Sequence, residues 1–161
     1  MPDIVSGEDG GKTYGELWPE YIRKQKRLIA RALELAGSDI PDQVAIESIG
    51  GGWTGHEALA IAIYSAIKHQ DSFEDAVISC VNHSGDSDST GAICGNIMGC
   101  LLSRSAIPAH FTDKLELLDI IEEMANDLYT GSLISEYNHY GTPEMARWDE
   151  KYCNFHWEPI K

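Results

Sequence analysis

Apolar positions recur along most of the chain at spacings of three, four and seven residues, the period of an amphipathic helix rather than of a strand. From about Leu17 to Ala36, Tyr21, Leu28, Ala32 and Leu35 mark one face, basic residues fill the other, and Gly37 offers a C-terminal stop. Between Ile40 and Trp53 the run PDQVAIESIGGGW predicts a short helical turn broken by Gly50, Gly51 and Gly52. Three glycines suit either a linker or a backbone that approaches a ligand. They lack the order of a phosphate-cradling loop, and no strand precedes them as a dinucleotide-binding turn requires. A second helix is predicted from about Thr54 to His69 on Leu59, Ala60, Ile63, Ala66 and Ile67. Ser72 and Asp75 form a capping pair that opens a third, through Phe73, Ala76, Val77 and Cys80.

Thr90 to about Ser103 is apolar almost all round and predicts a buried helix, in which Gly95 and Gly99 would admit a neighbouring helix closely. The last strong helix is expected from near Thr112, turning Leu115, Leu118, Ile121, Ala125 and Leu128 inward. With no strand pattern and no internal repeat, the fold class is all-α. The chain reads as a single domain over 1–161, with a flexible start over 1–16, a helical body over 17–130 and an aromatic-rich tail over 131–161. The tail carries Tyr137, Tyr140, Trp148, Tyr152, Phe155 and Trp157, too much aromatic area to leave in water, so it is expected to dock on the body or on a partner.

A hydrophobic content of 43% is enough for one globular core. Charge narrows the partners: 12 Lys and Arg against 26 Asp and Glu leave −14, which repels nucleic-acid backbones and anionic membranes. No apolar run reaches the roughly 18 residues that span a bilayer, and Met1-Pro2-Asp3 does not open a signal peptide. The cysteines Cys80, Cys94, Cys100 and Cys153 form no C-x-x-C pair and read as reduced thiols, so a cytoplasmic location is expected.

Candidate chemistry concentrates in Asn82-His83-Ser84-Gly85-Asp86-Ser87-Asp88-Ser89-Thr90-Gly91, a polar turn feeding an apolar helix. Asp86 and Asp88, two apart, can be aimed at one point, and the Ser89 hydroxyl adds a third oxygen. Hard cations such as Mg²⁺ accept such ligands, about six in all, so further oxygens would come from water, substrate or other segments. The same residue types also cap helices without any metal. An EF-hand alignment fails because its twelfth position would be Ile97 instead of a bidentate Glu. The D-x-D-x-T phosphatase signature needs a buried strand before it, where this chain looks helical. A zinc site from Cys80, His83 and His56 lacks paired ligand spacing.

Taken in order, Gly50 to Ala62, Ala76 to Asn82, Gly85 to Ile93, Gly95-Asn96 and Ala106-Ile107-Pro108 resemble the C-terminal part of the ADP-ribosylglycohydrolase (DraG-type) family. The resemblance covers roughly residues 28–130, and the G-D-S-D-S-T-G-A-I run is its most specific part. It implies an orthogonal helical bundle holding two divalent cations, Mg²⁺ or Mn²⁺, beside an ADP-ribose cleft. It further implies that Asp86 and Asp88 are carboxylate ligands, Asp88 bridging, with Ser89 a hydroxyl ligand. Gly52 and Trp53 would lie beside the nucleotide, although a Trp at a helix entrance also serves as a packing anchor. The reaction implied is metal-dependent hydrolysis of the glycosidic bond between ADP-ribose and an acceptor. The family's remaining ligands include a Thr-Asp-Asp run that this chain does not contain, so the expectation is an incomplete site. Three readings follow: a hydrolase represented by its C-terminal part, a non-catalytic helical remnant that binds ADP-ribose or protein, and one half of a split enzyme completed in trans by a complementary N-terminal segment.

Overall fold

A computed structural model of the chain describes residues 14–131, together with 142, 143, 146, 150 and 151. The aromatic tail and the N-terminal stretch expected to be flexible lie almost wholly outside these residues. Among the described residues the structure is all helical, as the periodicity predicts. Helices α1 (Tyr14–Ala36), α2 (Asp42–Ile49), α3 (Gly55–Lys68), α4 (Phe73–Val81) and α5 (Ser87–Leu102) are followed by a 3-10 turn at Arg104–Ala106. The short α6 (Ala109–Thr112) and then α7 (Leu118–Gly131) complete the series. No described helix is long and apolar enough to cross a membrane.

Two compact units divide at Asp113 and Lys114. In the first, α3 is the hub and packs against α1, α2, α4 and α5. Its sequence explains this: Ala58, Ala60, Ala62 and Ala66 let neighbouring helices approach closely, while Ile61 and Tyr64 fill the space between them, all buried. The predicted single face of α3 is therefore too narrow. Ile67 is exposed, whereas Ile61 and Tyr64, outside the predicted stripe, are fully buried, because a central helix is covered on most sides. Helix α1 contributes Leu17, Ala32 and Leu35 to the core, with Leu28 packed at its margin and Tyr21 left exposed. Ser72 caps α4 by accepting from the Asp75 N–H at 3.2 Å, as expected, and Phe73 meets Phe111 edge to face at 5.5 Å.

A polar knot joins the start of α2 to the end of α3. The Tyr64 hydroxyl donates to Asp42 Oδ1 at 2.7 Å and His69 Nε2–H donates to Asp42 Oδ2 at 2.6 Å. Burial opposes the Asp42 charge, but hydrogen bonds from Ser79, Tyr64 and His69 outweigh it and hold the carboxyl below its ordinary range. Burial and the neighbouring Asp42 in turn push the Tyr64 phenol up. Lys68 Nζ donates to the Ser38 carbonyl and closes the same end of α3 on the loop after α1.

Expectations for two further helices are corrected. Helix α5 begins at Ser87, three residues earlier than predicted, and is not buried all round: Thr90, Cys94 and Met98 face the core, while Cys100 and Leu101 are exposed. An alanine methyl at Gly95 or Gly99 would meet nothing within 4 Å; the close helix approach falls at Gly91, where it would lie 2.8 Å from Val81 Cγ1 on α4. Helix α7 starts at Leu118 rather than near Thr112, the residues between being broken by a turn with Leu117 at φ 59°. Leu115, now ahead of the helix, and Ile121 and Leu128 on it are exposed, so the inward face drawn from periodicity finds little cover among the described residues. Within this second unit Lys151 pairs with Glu123 and Asp127, each at 2.6 Å.

Candidate functional site

Chain chemistry at the α4–α5 turn begins with backbone. The Asp86 N–H donates to the Gly51 carbonyl at 2.8 Å, so the triglycine segment after α2 is laid directly against the turn before α5. Only glycine allows this contact: a methyl at Gly85 would sit 1.8 Å from the Gly51 oxygen. Gly52 is buried at φ 75°, in the left-handed region, and a methyl there would lie 2.8 Å from Thr90 Cγ2. The triglycine is thus a docked element of the site, not a free linker. Its neighbour Trp53 is 84% exposed, which is the opposite of a packing anchor and leaves a bare aromatic face beside the turn.

Beneath the turn, Thr90 is fully buried in the first turns of α5. Its hydroxyl donates to the Cys80 carbonyl at 2.9 Å, with the carbonyls of Asp86 and Ser87 both at 3.2 Å. His83 Nε2 lies 3.2 Å from the same hydroxyl, and His83 Nδ1 accepts from the Gly85 N–H at 3.0 Å. Ser87 Oγ donates to the Val81 carbonyl at 2.8 Å and ties the start of α5 to the end of α4.

On top of this base sit the two acids. Asp86 is the N-cap residue of α5, yet its side chain makes no capping hydrogen bond. The Ser89 N–H meets Asp88 Oδ1 at 2.7 Å, leaving Asp86 only a weaker pull from the same amide. Ser89 Oγ donates to Asp86 Oδ2 at 3.1 Å. The two carboxyls face each other: the hydrogen bond with Asp88 raises Asp86 above the ordinary carboxyl range, and the same bond holds Asp88 below it. Such a pair resists double ionisation, and a cation between the oxygens would relieve that cost.

The structure therefore brings Asp86, Asp88 and Ser89 together on one turn, with Gly52 docked against it and Trp53 next in sequence. In kind, two carboxylates and a hydroxyl fit a hard divalent cation. In number they fall short, because no group of three His, Cys, Asp or Glu side chains suited to a metal occurs among the described residues. The zinc arrangement of Cys80, His83 and His56 is not formed: Cys80 Sγ bonds the Thr90 carbonyl at 3.1 Å and His56 Nε2 bonds Thr54 Oγ1 at 3.1 Å. Sequence reasoning missed the base of the site. In the sequence His83 stands out only as a zinc candidate without paired spacing, and Thr90 only as the residue that opens the expected apolar helix. A threonine at the start of the apolar run, seven residues after a histidine, is the trace that their pairing leaves in the sequence.

The ADP-ribosylglycohydrolase family model matches residues 4–136, a wider stretch than the motifs alone reveal. An uncharacterized protein of Archaeoglobus fulgidus is 33% identical over 119 residues, covering 71% of this chain and 38% of the relative. ADP-ribosylhydrolase ARH1 of Dictyostelium discoideum is 35% identical over 78 residues, 48% of this chain and 20% of that protein. ADP-ribosylarginine hydrolase Tri1 of Serratia proteamaculans is 36% identical over 64 residues, 40% of this chain and 18% of that protein. The chain thus spans well under half the length of the relatives it matches. No solved structure matches it. With a family model covering most of its residues and the acidic turn held in place by the glycines that turn requires, the chain belongs to the ADP-ribosylglycohydrolase family.

Proposed function

We propose that the protein contributes the C-terminal half-site of a metal-dependent ADP-ribosylhydrolase, acting on the glycosidic bond between ADP-ribose and an acceptor. The observation that supports this best is the facing pair of Asp86 and Asp88. An N-cap aspartate whose side chain makes no capping hydrogen bond and instead meets a second carboxylate is poorly explained by capping alone. Asp86, Asp88 and Ser89 would hold Mg²⁺ or Mn²⁺, two ions in a complete site, with the missing donors supplied by an acidic segment outside the described residues. Bound there, a divalent cation supplies Lewis acidity at the reacting ribose and a water of lowered pKa.

The chain's own residues do the rest. Gly51 and Gly52 fix the height of the acidic turn, and exposed Trp53 offers a face on which a base or ribose can stack. The name of the Serratia relative specifies ADP-ribosylarginine, which makes an arginine linkage the first acceptor to assay. A non-catalytic ADP-ribose-binding role is the second reading, favoured by the shortage of metal-binding groups among the described residues. Calorimetric titration of Mn²⁺ and Mg²⁺ with and without ADP-ribose, on the chain and on Asp88→Ala, tests both. The hydrolase half-site predicts metal binding that Asp88→Ala abolishes and that ADP-ribose strengthens. Binding of ADP-ribose without metal favours the second reading, and no binding of either ligand removes both.

A further inference from the structure

His83 carries a role that neither the acidic motif nor the family assignment gives it. Its ring is half-buried between the end of α4 and the first turns of α5. Nδ1 accepts the Gly85 N–H at 3.0 Å, so it carries no proton. The ring proton must then lie on Nε2, which donates to Thr90 Oγ1 at 3.2 Å. Thr90 is free to accept because its own proton goes to the Cys80 carbonyl at 2.9 Å. The ring therefore bridges the backbone of residue 85, where the acidic turn begins, to a fully buried hydroxyl anchored on α4. Its Cε1 edge also lies 3.6 Å from the position a methyl would take on Gly52, beside the docked triglycine. Three separate pieces of chain meet at one imidazole.

We propose that His83 is a positioning residue for Asp86 and Asp88: through Gly85 and Thr90 it holds the acidic turn at the height from which both carboxylates are presented. This rests on the metal half-site reading above. A ring that locks the turn reduces the freedom the turn would otherwise lose when a cation binds, as outer partners of metal ligands generally do. The geometry also explains why the ring touches neither carboxylate. Its two nitrogens are spent on a backbone amide and a buried hydroxyl.

The test separates positioning from plain stability. In His83→Phe both hydrogen bonds are lost while an aromatic ring, somewhat larger, is kept, in His83→Gln an amide donor toward Thr90 remains, and in Thr90→Val only the buried hydroxyl is removed. Amide hydrogen exchange at Gly85 and Asp86 and the Mn²⁺ dissociation constant are read for each, with far-UV circular dichroism to establish folding. The expected result is exchange at these two amides faster by about tenfold or more in His83→Phe. Mn²⁺ affinity should fall about 10–100-fold, with partial recovery in His83→Gln and no further loss when Thr90→Val is added to His83→Phe. If Phe unfolds the chain, the Gln and Val variants carry the same comparison. Unchanged exchange in the folded variants overturns the positioning role whether or not metal binds. Faster exchange with unchanged Mn²⁺ affinity overturns it too, while leaving the half-site reading intact. Failure of the unaltered chain to bind Mn²⁺, with the amides still protected by His83, removes the half-site reading and the role built on it.

Discussion

A methyl group on residue 85 would sit 1.8 Å from the Gly51 carbonyl oxygen and 2.6 Å from its carbon. Both are backbone atoms, and the oxygen already accepts from Asp86 N–H, so relief requires breaking that bond or lifting the triglycine off the turn. Gly85→Ala is therefore expected to cost about 3 kcal/mol, the upper end for overpacking, and, if the acidic turn holds a cation as proposed, to weaken that binding along with stability. Gly95→Ala has the opposite sign. The site is open, the backbone is helical, and alanine is favoured over glycine there by about 1 kcal/mol. Urea unfolding of the two variants checks the pair, and a neutral Gly85→Ala would mean that the two loops do not meet as described. The sequence could not order these glycines. Spacing singled out Gly95 and Gly99 as a helix contact, whereas the demanding positions are set by a neighbour far along the chain.

Helical period located α1, α3 and α4 to within a few residues, because apolar residues recur at helical spacing in each and Gly37, the Gly50–Gly52 break and Ser72 mark where they stop or start. It was less informative where polar residues belong to the helix itself. Ser87, Asp88 and Ser89 read as loop but form the first turn of α5, where small polar side chains are well tolerated. Nor did it reveal what fastens α2 to α3, since Asp42, Tyr64 and His69 are far apart in sequence and their bonds are tertiary. That knot is testable. Asp42 has its pKa lowered in the fold, so the unfolded chain takes up the proton first as pH falls. The stability it contributes is complete above the ordinary aspartate value of 3.8 and is lost as pH drops through that value toward the lower folded one. Asp42→Asn should cost about 1–3 kcal/mol near neutrality, and its difference from the unaltered protein should shrink on acidification. A thermal or urea series across this range reads it directly. A difference that persists undiminished to about pH 3 would mean that the carboxylate charge is not what binds the two helices.

At the scale of the whole chain, the acidic excess and the acidic turn make separable demands on solvent cations. A net charge of −14 disfavours compaction by self-repulsion, all the more because Arg23, Lys24, Lys26, Arg27 and Arg31, five of the 12 basic residues, are gathered on α1. Sodium chloride should therefore raise the melting temperature by screening, about 2–4 °C for each kcal/mol gained in a chain of this size. Magnesium chloride at matched ionic strength adds a second effect if Asp86 and Asp88 bind the ion. Binding to the folded state alone contributes about 1.4 kcal/mol when the free cation is tenfold above its dissociation constant. Asp88→Ala removes one charge in fourteen and should leave the sodium response nearly intact, while the excess response to magnesium disappears. If the magnesium excess survives Asp88→Ala, the ion is acting on the diffuse acidic surface, and the facing carboxylates are not the site that distinguishes Mg²⁺ from salt.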